Sequence, residues 1–373
     1  MSPPSRRPPP LTVGVEEEFL LLDPSTWRNA PHSAAVLAGL PEELRRHGRV
    51  EFRRSMVEMV TPVCTDLRDL HCHLARHRSA AAEAATRTGT RLVAVGATPI
   101  AEPDLGINDT PRFHAIARHY GPIAHDPAVC GCHVHVGVAD RALAVQVCTR
   151  LRPWLPVVQA ISVNSPWYGG SDTGHASWRG IQLERWPSLG PPPHVESIAD
   201  YDAAVEALVA SGAMLDRSMV LWYARPSDTY PTVEIRTADV APTVEDAVLI
   251  AGLVRALVLS ALDDIAADRP APRVAEHLLR AAHWNAAHAG LAGTLLDPRD
   301  GRARPAWDLV DELCAAVKPA LSCLGDEELV HASLARLRRD GTGAERQRRV
   351  YDCTRDIGAV LTALTVGSAD ATS

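Results

Sequence analysis

Three short apolar or β-branched stretches of this 373-residue chain each carry two polar side chains two positions apart. The pairs are Glu16 with Glu18, His133 with His135, and Glu234 with Arg236. Residues two apart in a β-strand share a face, so each stretch predicts a strand with one polar face. An ordinary core would not tolerate so many charges without partners. The three strands are therefore expected to line a common cavity.

The first of these strands is predicted over residues 12–22. On it, Glu17 points away from Glu16 and Glu18, toward the apolar face that contains Val15 and Phe19. Carboxylates in apolar surroundings are usually paired or bound to a metal, and Mg²⁺ prefers carboxylate and phosphate oxygens. The Glu16–Glu18 pair is a candidate metal site, and a solvated edge strand is the alternative.

A second acidic segment contains Glu51 and Glu58, which are an odd number of positions apart. On one regular strand they would face opposite ways. Either a bend lies between them or only one of them reaches the site. Glu58 is the stronger candidate, because Val57 and Met59 flank it with apolar side chains.

The third acidic strand, predicted over residues 232–237, carries Glu234 and Arg236. These two side chains either form a salt bridge along one strand, or Glu234 binds a metal and Arg236 binds phosphate. Lys318 is the only lysine in the chain. Cationic contacts to phosphate must therefore come from arginine, which binds phosphate through two parallel hydrogen bonds.

The strand predicted over residues 129–139 contains a Cys-x-Cys-His-x-His pattern, which suggests zinc. Cys130 and Cys132 lie on one face of that strand, however, whereas His133 and His135 lie on the other. Four ligands that alternate across a sheet cannot converge on one tetrahedral ion. We therefore interpret the cysteines as small buried apolar residues and the histidines as facing the site.

Composition excludes several classes of function. The net charge is −7, so no basic nucleic-acid surface is expected. The longest apolar run, residues 247–262, contains Arg255 and is shorter than a membrane span, so it predicts a buried helix. The chain starts with a Pro/Arg tail (MSPPSRRPPP), predicted to be disordered and without an apolar signal segment. We expect a cytoplasmic protein with eight reduced cysteines.

The pattern along the chain predicts an α+β fold. Strands are also expected at residues 91–97 and 220–223, helices at 67–88, 111–119, 143–164 and 198–212, and a long loop at 165–193. After Pro242 the pattern is helical, with helices at 244–267, 273–289, 306–324, 326–339 and 344–364. We expect one catalytic domain over residues 11–365, sheet-rich over 11–242 and helical over 243–365, with tails at 1–10 and 366–373.

Together these segments resemble the glutamate–cysteine ligase type 2 family (YbdK-type carboxylate–amine ligases) over most of residues 12–300. The matching stretches are residues 14–19 (GVEEEF), 55–62 (SMVEMVTP), 131–135 (GCHVH), 164–167 (NSPW) with 172–179 (DTGHASWR) and 185–187 (RWP), and 232–236 (TVEIR). Residues 282–291 (AHWNAAHAGL) keep the Trp and Gly-Leu of a family segment, but Ala282 and Asn285 stand there in place of other family residues. The resemblance therefore does not name the amine substrate.

The resemblance implies a glutamine-synthetase-like antiparallel sheet, curved around the active site, and an ATP-dependent ligase with Mg²⁺. It implies that the metal-site candidates are Glu16, Glu18, Glu51, Glu58, His133 and Glu234. Glu51 stands where relatives tend to carry aspartate. Glu58 and Arg236 would act in catalysis, and Arg179, Arg185 and Arg236 would hold anionic groups of the nucleotide or substrate.

The implied reaction joins the γ-carboxylate of glutamate to an amino acid such as cysteine, or to another amine, through an acyl phosphate. A small-molecule phosphotransferase of the same fold, a catalytically idle nucleotide- or metal-binding paralogue, and a zinc hydrolase are the alternatives. The partners expected are small molecules, with neither nucleic acid nor membrane. A homodimer is expected, because dimers are the most frequent assembly among soluble homo-oligomers.

Overall fold

The computed structural model describes residues 11–367. The predicted tail at residues 1–10, and all of the second predicted tail beyond Gly367, lie outside the described residues. The strands of the described part are β1 (Val13–Leu22), β2 (Gly48–Val50), β3 (Met56–Val60), β4 (Arg91–Val93), β5 (Gly131–Gly137), β6 (Trp167–Tyr168), β7 (Ser171–Asp172), β8 (Leu189–Gly190), β9 (Leu221–Trp222), β10 (Ala224–Pro226), β11 (Thr232–Asp239), β12 (Thr294–Asp297) and β13 (Arg302–Pro305).

Helices make up most of the rest of the described chain. They are α1 (Ser33–Ala38), α2 (Glu42–Arg45), α3 (Leu67–Arg87), α4 (Pro111–Tyr120), α5 (Arg141–Leu151), α6 (Leu155–Ile161), α7 (Trp178–Leu183), α8 (Ile198–Ala210), α9 (Val244–Ala266), α10 (Glu276–Ala289), α11 (Ala306–Leu324), α12 (Glu327–Asp340), α13 (Gly343–Thr354) and α14 (Ile357–Ala363). Among the described residues, no helix combines the length and the apolar character that crossing a bilayer requires.

The central sheet is antiparallel and has the strand order β10-β11-β5-β1-β3-β2, with β4 paired to β1. Val15 of β1 and Val134 of β5 point to the face that packs on α9, and both belong to the largest buried cluster. The same cluster includes Leu253 of α9 and Leu313 of α11. Burial of this face leaves the polar pairs on the opposite face of the sheet.

The long helices begin at residues that the sequence marks as caps. The Asp66 carboxylate accepts the backbone N–H groups of Arg68 and Asp69 at the start of α3, which is the usual role of an aspartate at this position. The Thr243 hydroxyl accepts the N–H of Asp246 at the start of α9. These two helices pack against each other and support the apolar side of β1.

Several predicted elements are wrong in extent. The predicted helix 344–364 is two helices, because Arg355 adopts a left-handed conformation with φ of 54°. The predicted strand 91–97 is regular only over Arg91–Val93. The predicted helix 143–164 is divided into α5 and α6, and Pro153, which cannot continue a helix without disrupting it, lies between them. The predicted loop 165–193 contains α7 and three short strands.

Candidate active site

The register of four neighbouring strands brings the predicted polar residues onto one face. Residues directly opposite each other on antiparallel strands have adjacent side chains on the same face. The opposed pairs are Glu18 with Glu58, Glu16 with His133, and Glu234 with His135. The period-two prediction therefore holds across β3, β1, β5 and β11. Glu17 faces the other way, where it is buried against Arg78.

A hairpin accounts for both Glu51 and Glu58. Strands β2 and β3 pair antiparallel, and Arg49 lies opposite Glu58. Glu51 follows the end of β2, in the turn between the strands. The side-chain amide of Asn108 donates to the backbone carbonyl of Glu51 at 2.8 Å and holds this turn. The bend between the two residues, one of the two alternatives, is the one that the structure contains.

Two groups of side chains have the spacing of metal sites, and His133 belongs to both. Glu16, His133 and Glu234 form one group, and Glu18, Glu58 and His133 form the other; within each, the ligand atoms lie within 4.8 Å of one another. Glu16 lies between the two imidazoles, with its carboxylate 3.5 Å from Nδ1 of His133 and 3.3 Å from Nε2 of His135. These six side chains therefore form a single cluster with Glu51.

The cluster fits a hard divalent cation. Its donors are carboxylate oxygens with one or two imidazoles, a set that suits Mg²⁺ or Mn²⁺. Nδ1 of His133 and Nε2 of His135 are buried and face the Glu16 carboxylate without a well-formed hydrogen bond, so a cation bound among these groups could serve as their partner. Cys130 and Cys132 are fully buried, as interpreted from the sequence. Cys132 belongs to the buried cluster of Val15 and Val134, whereas Cys130 belongs to a different one and lies near Glu18.

Three carboxyl groups, those of Glu18, Glu51 and Glu58, lie close together on the β2–β3 side of the cluster. Burial first, and then the negative charge of Glu18, raise the pKa of Glu51 to about 8. Burial and the neighbouring carboxylates, Glu51 first, also raise the pKa of Glu58 well above its ordinary value. One carboxylate oxygen of Glu18 accepts the backbone N–H of Gly131 at 2.6 Å. A bound cation would favour the ionised form of all three carboxylates.

On the β11 side of the cluster, positively charged arginines surround a single carboxylate, Glu234. Glu234 is contacted by two arginines: Nε of Arg225 lies 2.8 Å from its carboxylate, and a guanidinium N–H of Arg236 donates to the same group. Burial acts to raise the pKa of Glu234, but these positive charges outweigh it and hold the pKa well below its ordinary value. Glu234 thus forms the predicted salt bridge with Arg236 while remaining within reach of a metal shared with Glu16.

The two other predicted arginines lie in different places. Arg179 is buried beside β11, where it donates to the carbonyls of Arg236 and Thr237 and lies 3.9 Å from Asp239. Arg185 is half exposed and pairs with Asp126, which lines a cavity beside the acidic cluster. A role for either arginine in anion binding stays a prediction.

A cavity of about 270 Å³ opens beside the acidic cluster. Its wall combines polar residues of the cluster with an apolar and aromatic surface. The polar members include Glu18, Glu51, His133, Arg179 and Arg236, and the apolar ones include Phe52, Phe113, Trp186, Leu221 and Tyr223. Such a mixed wall is typical of small-molecule sites, where apolar surface binds and a few polar groups orient.

Sequence reasoning missed Arg225 and the apolar wall. Arg225 lies opposite Glu234 in the β10–β11 hairpin, and the turn residues 227–231 (SDTYP) are a hairpin signal that would have placed it there. The apolar wall comes from α4, α7 and the segment around β8 and β9. Nothing in the local sequence pattern brings those distant segments together.

Comparison with known protein sequences shows which proteins this chain is similar to. Residues 12–364 match the sequence profile of the glutamate–cysteine ligase family 2 (GCS2). The chain is 61% identical over 352 residues to a Salinispora arenicola protein named "Putative glutamate–cysteine ligase 2", which covers 94% of this chain and 93% of the relative. It is 47% identical over 353 residues to a "Putative glutamate–cysteine ligase 2-1" of Nocardia farcinica, covering 95% of this chain and 92% of that one.

Solved structures share the fold at low sequence identity. A glutamate–cysteine ligase from Francisella tularensis, solved in complex with AMP, has a TM-score of 0.71 and 12% identity, over 95% of this chain and 87% of that one. A bifunctional glutathione synthetase from Pasteurella multocida has a TM-score of 0.66 and 13% identity, over 95% of this chain and 51% of that one. The α+β fold built on an antiparallel sheet is confirmed.

Proposed function

Because this chain belongs to the glutamate–cysteine ligase family 2, we propose that it is an ATP-dependent ligase that joins the γ-carboxylate of glutamate to the amino group of an amino acid such as cysteine. The observation that supports this most is the convergence of six predicted side chains from separate segments on one face of the sheet. A structural acidic patch would have no need for that register.

The proposed reaction has two steps. A γ-carboxylate oxygen of glutamate attacks the γ-phosphorus of ATP, the bond to the β–γ bridging oxygen breaks, and ADP leaves. The amine nitrogen then attacks the acyl carbon of this acyl phosphate. Inorganic phosphate leaves, and loss of a proton from the nitrogen gives the amide. Phosphoryl transfer depends mainly on positioning and charge neutralisation, and the residues of this site are suited to both tasks.

Each side of the cluster has its own task in this proposal. Glu16, Glu18, Glu58 and His133 would hold Mg²⁺, with Glu51 and Glu234 at the two ends of the cluster. Mg²⁺, when bound, neutralises phosphate charge and orients the phosphates for in-line transfer. Arg236 would bind a phosphate oxygen through its fork of N–H donors. Arg225 would keep Glu234 ionised and fixed when Arg236 turns toward the nucleotide.

The proposal is tested by ADP release with glutamate and a panel of amines, with mass detection of the amide. Glu16→Gln and Glu58→Gln should each lower the rate by at least about a hundredfold, because each removes a charged metal ligand. Glu328→Gln, which removes one exposed carboxylate on α12, is the charge-matched control and should retain the wild-type rate.

The products also separate this proposal from its alternatives. An amide that appears in proportion to ADP supports a ligase. A phosphorylated small molecule without any amide would replace it with a phosphotransferase. ATP turnover that no carboxylate or amine stimulates would contradict both activities.

A further inference from the structure

A second and larger cavity shares none of its wall residues with the cavity beside the acidic cluster. It measures about 650 Å³ and is bounded by α3, the start of α9, α13 and α14. Most of its wall is apolar and includes Val350, Val360 and Leu364. Small-molecule sites in proteins commonly have volumes of about 300–1,000 Å³. The cavity therefore has room for a ligand the size of a dipeptide.

A buried polar atom in this wall lacks a partner. Gln347 is only 2% exposed, and its side-chain N–H₂ donates to the backbone and side-chain oxygens of Asn164 at 3.0 and 2.7 Å. Its carbonyl oxygen, Oε1, has no hydrogen-bond partner within residues 11–367. A buried acceptor without a donor is costly, so a ligand N–H or O–H at this point would be favoured.

The polar part of the wall is also cationic. Arg346 donates to the Asp246 carboxylate, but its buried Nε has no partner in the described chain. Arg349 is exposed and donates to the backbone carbonyl of Asp340 at 3.0 Å. The acidic residue of the wall, Glu245, already lies 3.3 Å from His71. Guanidinium N–H groups beside an apolar surface favour a carboxylate with an apolar body.

Two sets of contacts connect this cavity with the active site. Arg78, in the cavity wall, binds the carboxylate of Glu17, with its Nε at 2.9 Å. Glu17 lies between Glu16 and Glu18 on β1. On the other side, Gln347 binds Asn164, whose backbone N–H donates to Asp239 of β11 at 2.8 Å. Both sets end on strands that carry active-site residues.

We propose that this cavity is a regulatory site for a small carboxylate with an apolar portion and an N–H donor, a class that includes N-acylated apolar amino acids and short apolar peptides. The carboxylate would bind Arg346 and Arg349, the N–H would donate to Oε1 of Gln347, and the apolar portion would contact α13 and α14. Binding would then alter the position of β1 through Arg78 and Glu17, and with it the affinity for Mg²⁺-ATP. The regulatory role rests on the proposed function, whereas ligand binding does not.

Cys353 provides a direct probe of occupancy. It is a free, exposed thiol in the cavity wall, whereas Cys72 and Cys323 are exposed elsewhere. N-acetyl-leucine should slow the alkylation of Cys353 by N-ethylmaleimide, measured by peptide mass spectrometry, and leave the other two thiols unchanged. N-acetyl-leucinamide, which has no carboxylate, should protect much less. Saturating N-acetyl-leucine should also change the Kd for Mg²⁺-ATP by about fivefold or more.

Variants test the assignment further. Arg349→Ala should abolish protection by removing the outer cation, and Ala363→Trp should do so by filling the cavity. Arg273→Ala removes an exposed arginine outside the cavity wall and should behave as wild type. An unchanged alkylation rate of Cys353 at millimolar N-acetyl-leucine would overturn the proposal. Protection with an unchanged Kd for Mg²⁺-ATP would overturn the regulatory role. Alkylation is measured without nucleotide, so its outcome does not depend on the ligase activity.

Discussion

The crowding of Glu18, Glu51 and Glu58 predicts that the protein releases protons when it binds Mg²⁺-ATP. Burial and neighbouring negative charge raise the pKa of Glu51 to about 8 and raise the pKa of Glu58 well above its ordinary value. A carboxyl group must lose its proton before it can bind a metal. Metal binding at neutral pH must therefore displace protons that the metal-free cluster holds.

The magnitude follows from the pKa. A group with a pKa of about 8 is about 90% protonated at pH 7, so Glu51 alone would release about 0.9 proton per chain. Glu58 would add up to about one more. At pH 9 the contribution of Glu51 falls to about 0.1 proton. The affinity for Mg²⁺-ATP should accordingly rise by about tenfold or more between pH 6 and pH 7.

Isothermal titration calorimetry in two buffers of different ionisation enthalpy measures the number of protons released. The slope of the observed heat against buffer enthalpy should correspond to one to two protons at pH 7 and decrease toward pH 9. Glu51→Gln should reduce the release at pH 7, whereas Glu328→Gln should leave it unchanged. A binding heat that does not depend on the buffer at pH 7 would refute the reasoning.

Three further predictions concern stability and reactivity. Glu51→Gln should raise the Tm of the metal-free protein at pH 8 relative to wild type while weakening Mg²⁺ binding. The raised pKa of Glu51 means that the folded state disfavours the ionised carboxylate, so this residue lowers stability as the pH rises. An unchanged Tm would contradict this. Arg78→Met should lower the free energy of unfolding by about 3–5 kcal/mol in denaturant titrations, because it leaves buried Glu17 without its partner. A loss below about 1 kcal/mol would show that the pair is not buried. Burial raises the pKa of the Cys130 and Cys132 thiols, so thiol reagents should modify both only after unfolding, and rapid modification of the native protein would place them at the surface.

The parts of the site that depend on strand period were predictable from the sequence. Glu16 and Glu18 face the cluster and Glu17 faces the core, because alternation is a local property of any strand. The separation of Cys132 from His133 and His135 follows from the same rule. These predictions needed no knowledge of which strands are neighbours.

The parts of the site that depend on a reversal of the chain were harder to predict from the sequence. The odd spacing of Glu51 and Glu58 left two alternatives, and only the β2–β3 hairpin decides between them. Arg225 pairs with Glu234 across a second hairpin, and the strand that carries it was not predicted. The hairpin β12–β13 was also missed in the predicted helical third, although residues 297–301 (DPRDG) are rich in turn formers.

Features that depend on tertiary packing could not be read from the sequence. The left-handed Arg355 separates α13 from α14 without a glycine to mark the break. The cavity beside Gln347 forms because helices from both ends of the chain meet there. The periodicity of one segment does not predict this packing, because the packing depends on which apolar faces cover each other.

The central claim is that acidic residues from separate strands bind one set of cations together with ATP. Crystals grown with Mn²⁺ and a non-hydrolysable ATP analogue test it most directly, through the anomalous signal of the metal. We predict Mn²⁺ peaks at bonding distance, about 2.0–2.6 Å, from carboxylate oxygens of Glu16, Glu18 and Glu58. Mn²⁺ bound only outside this cluster, with the nucleotide phosphates elsewhere, would contradict the account.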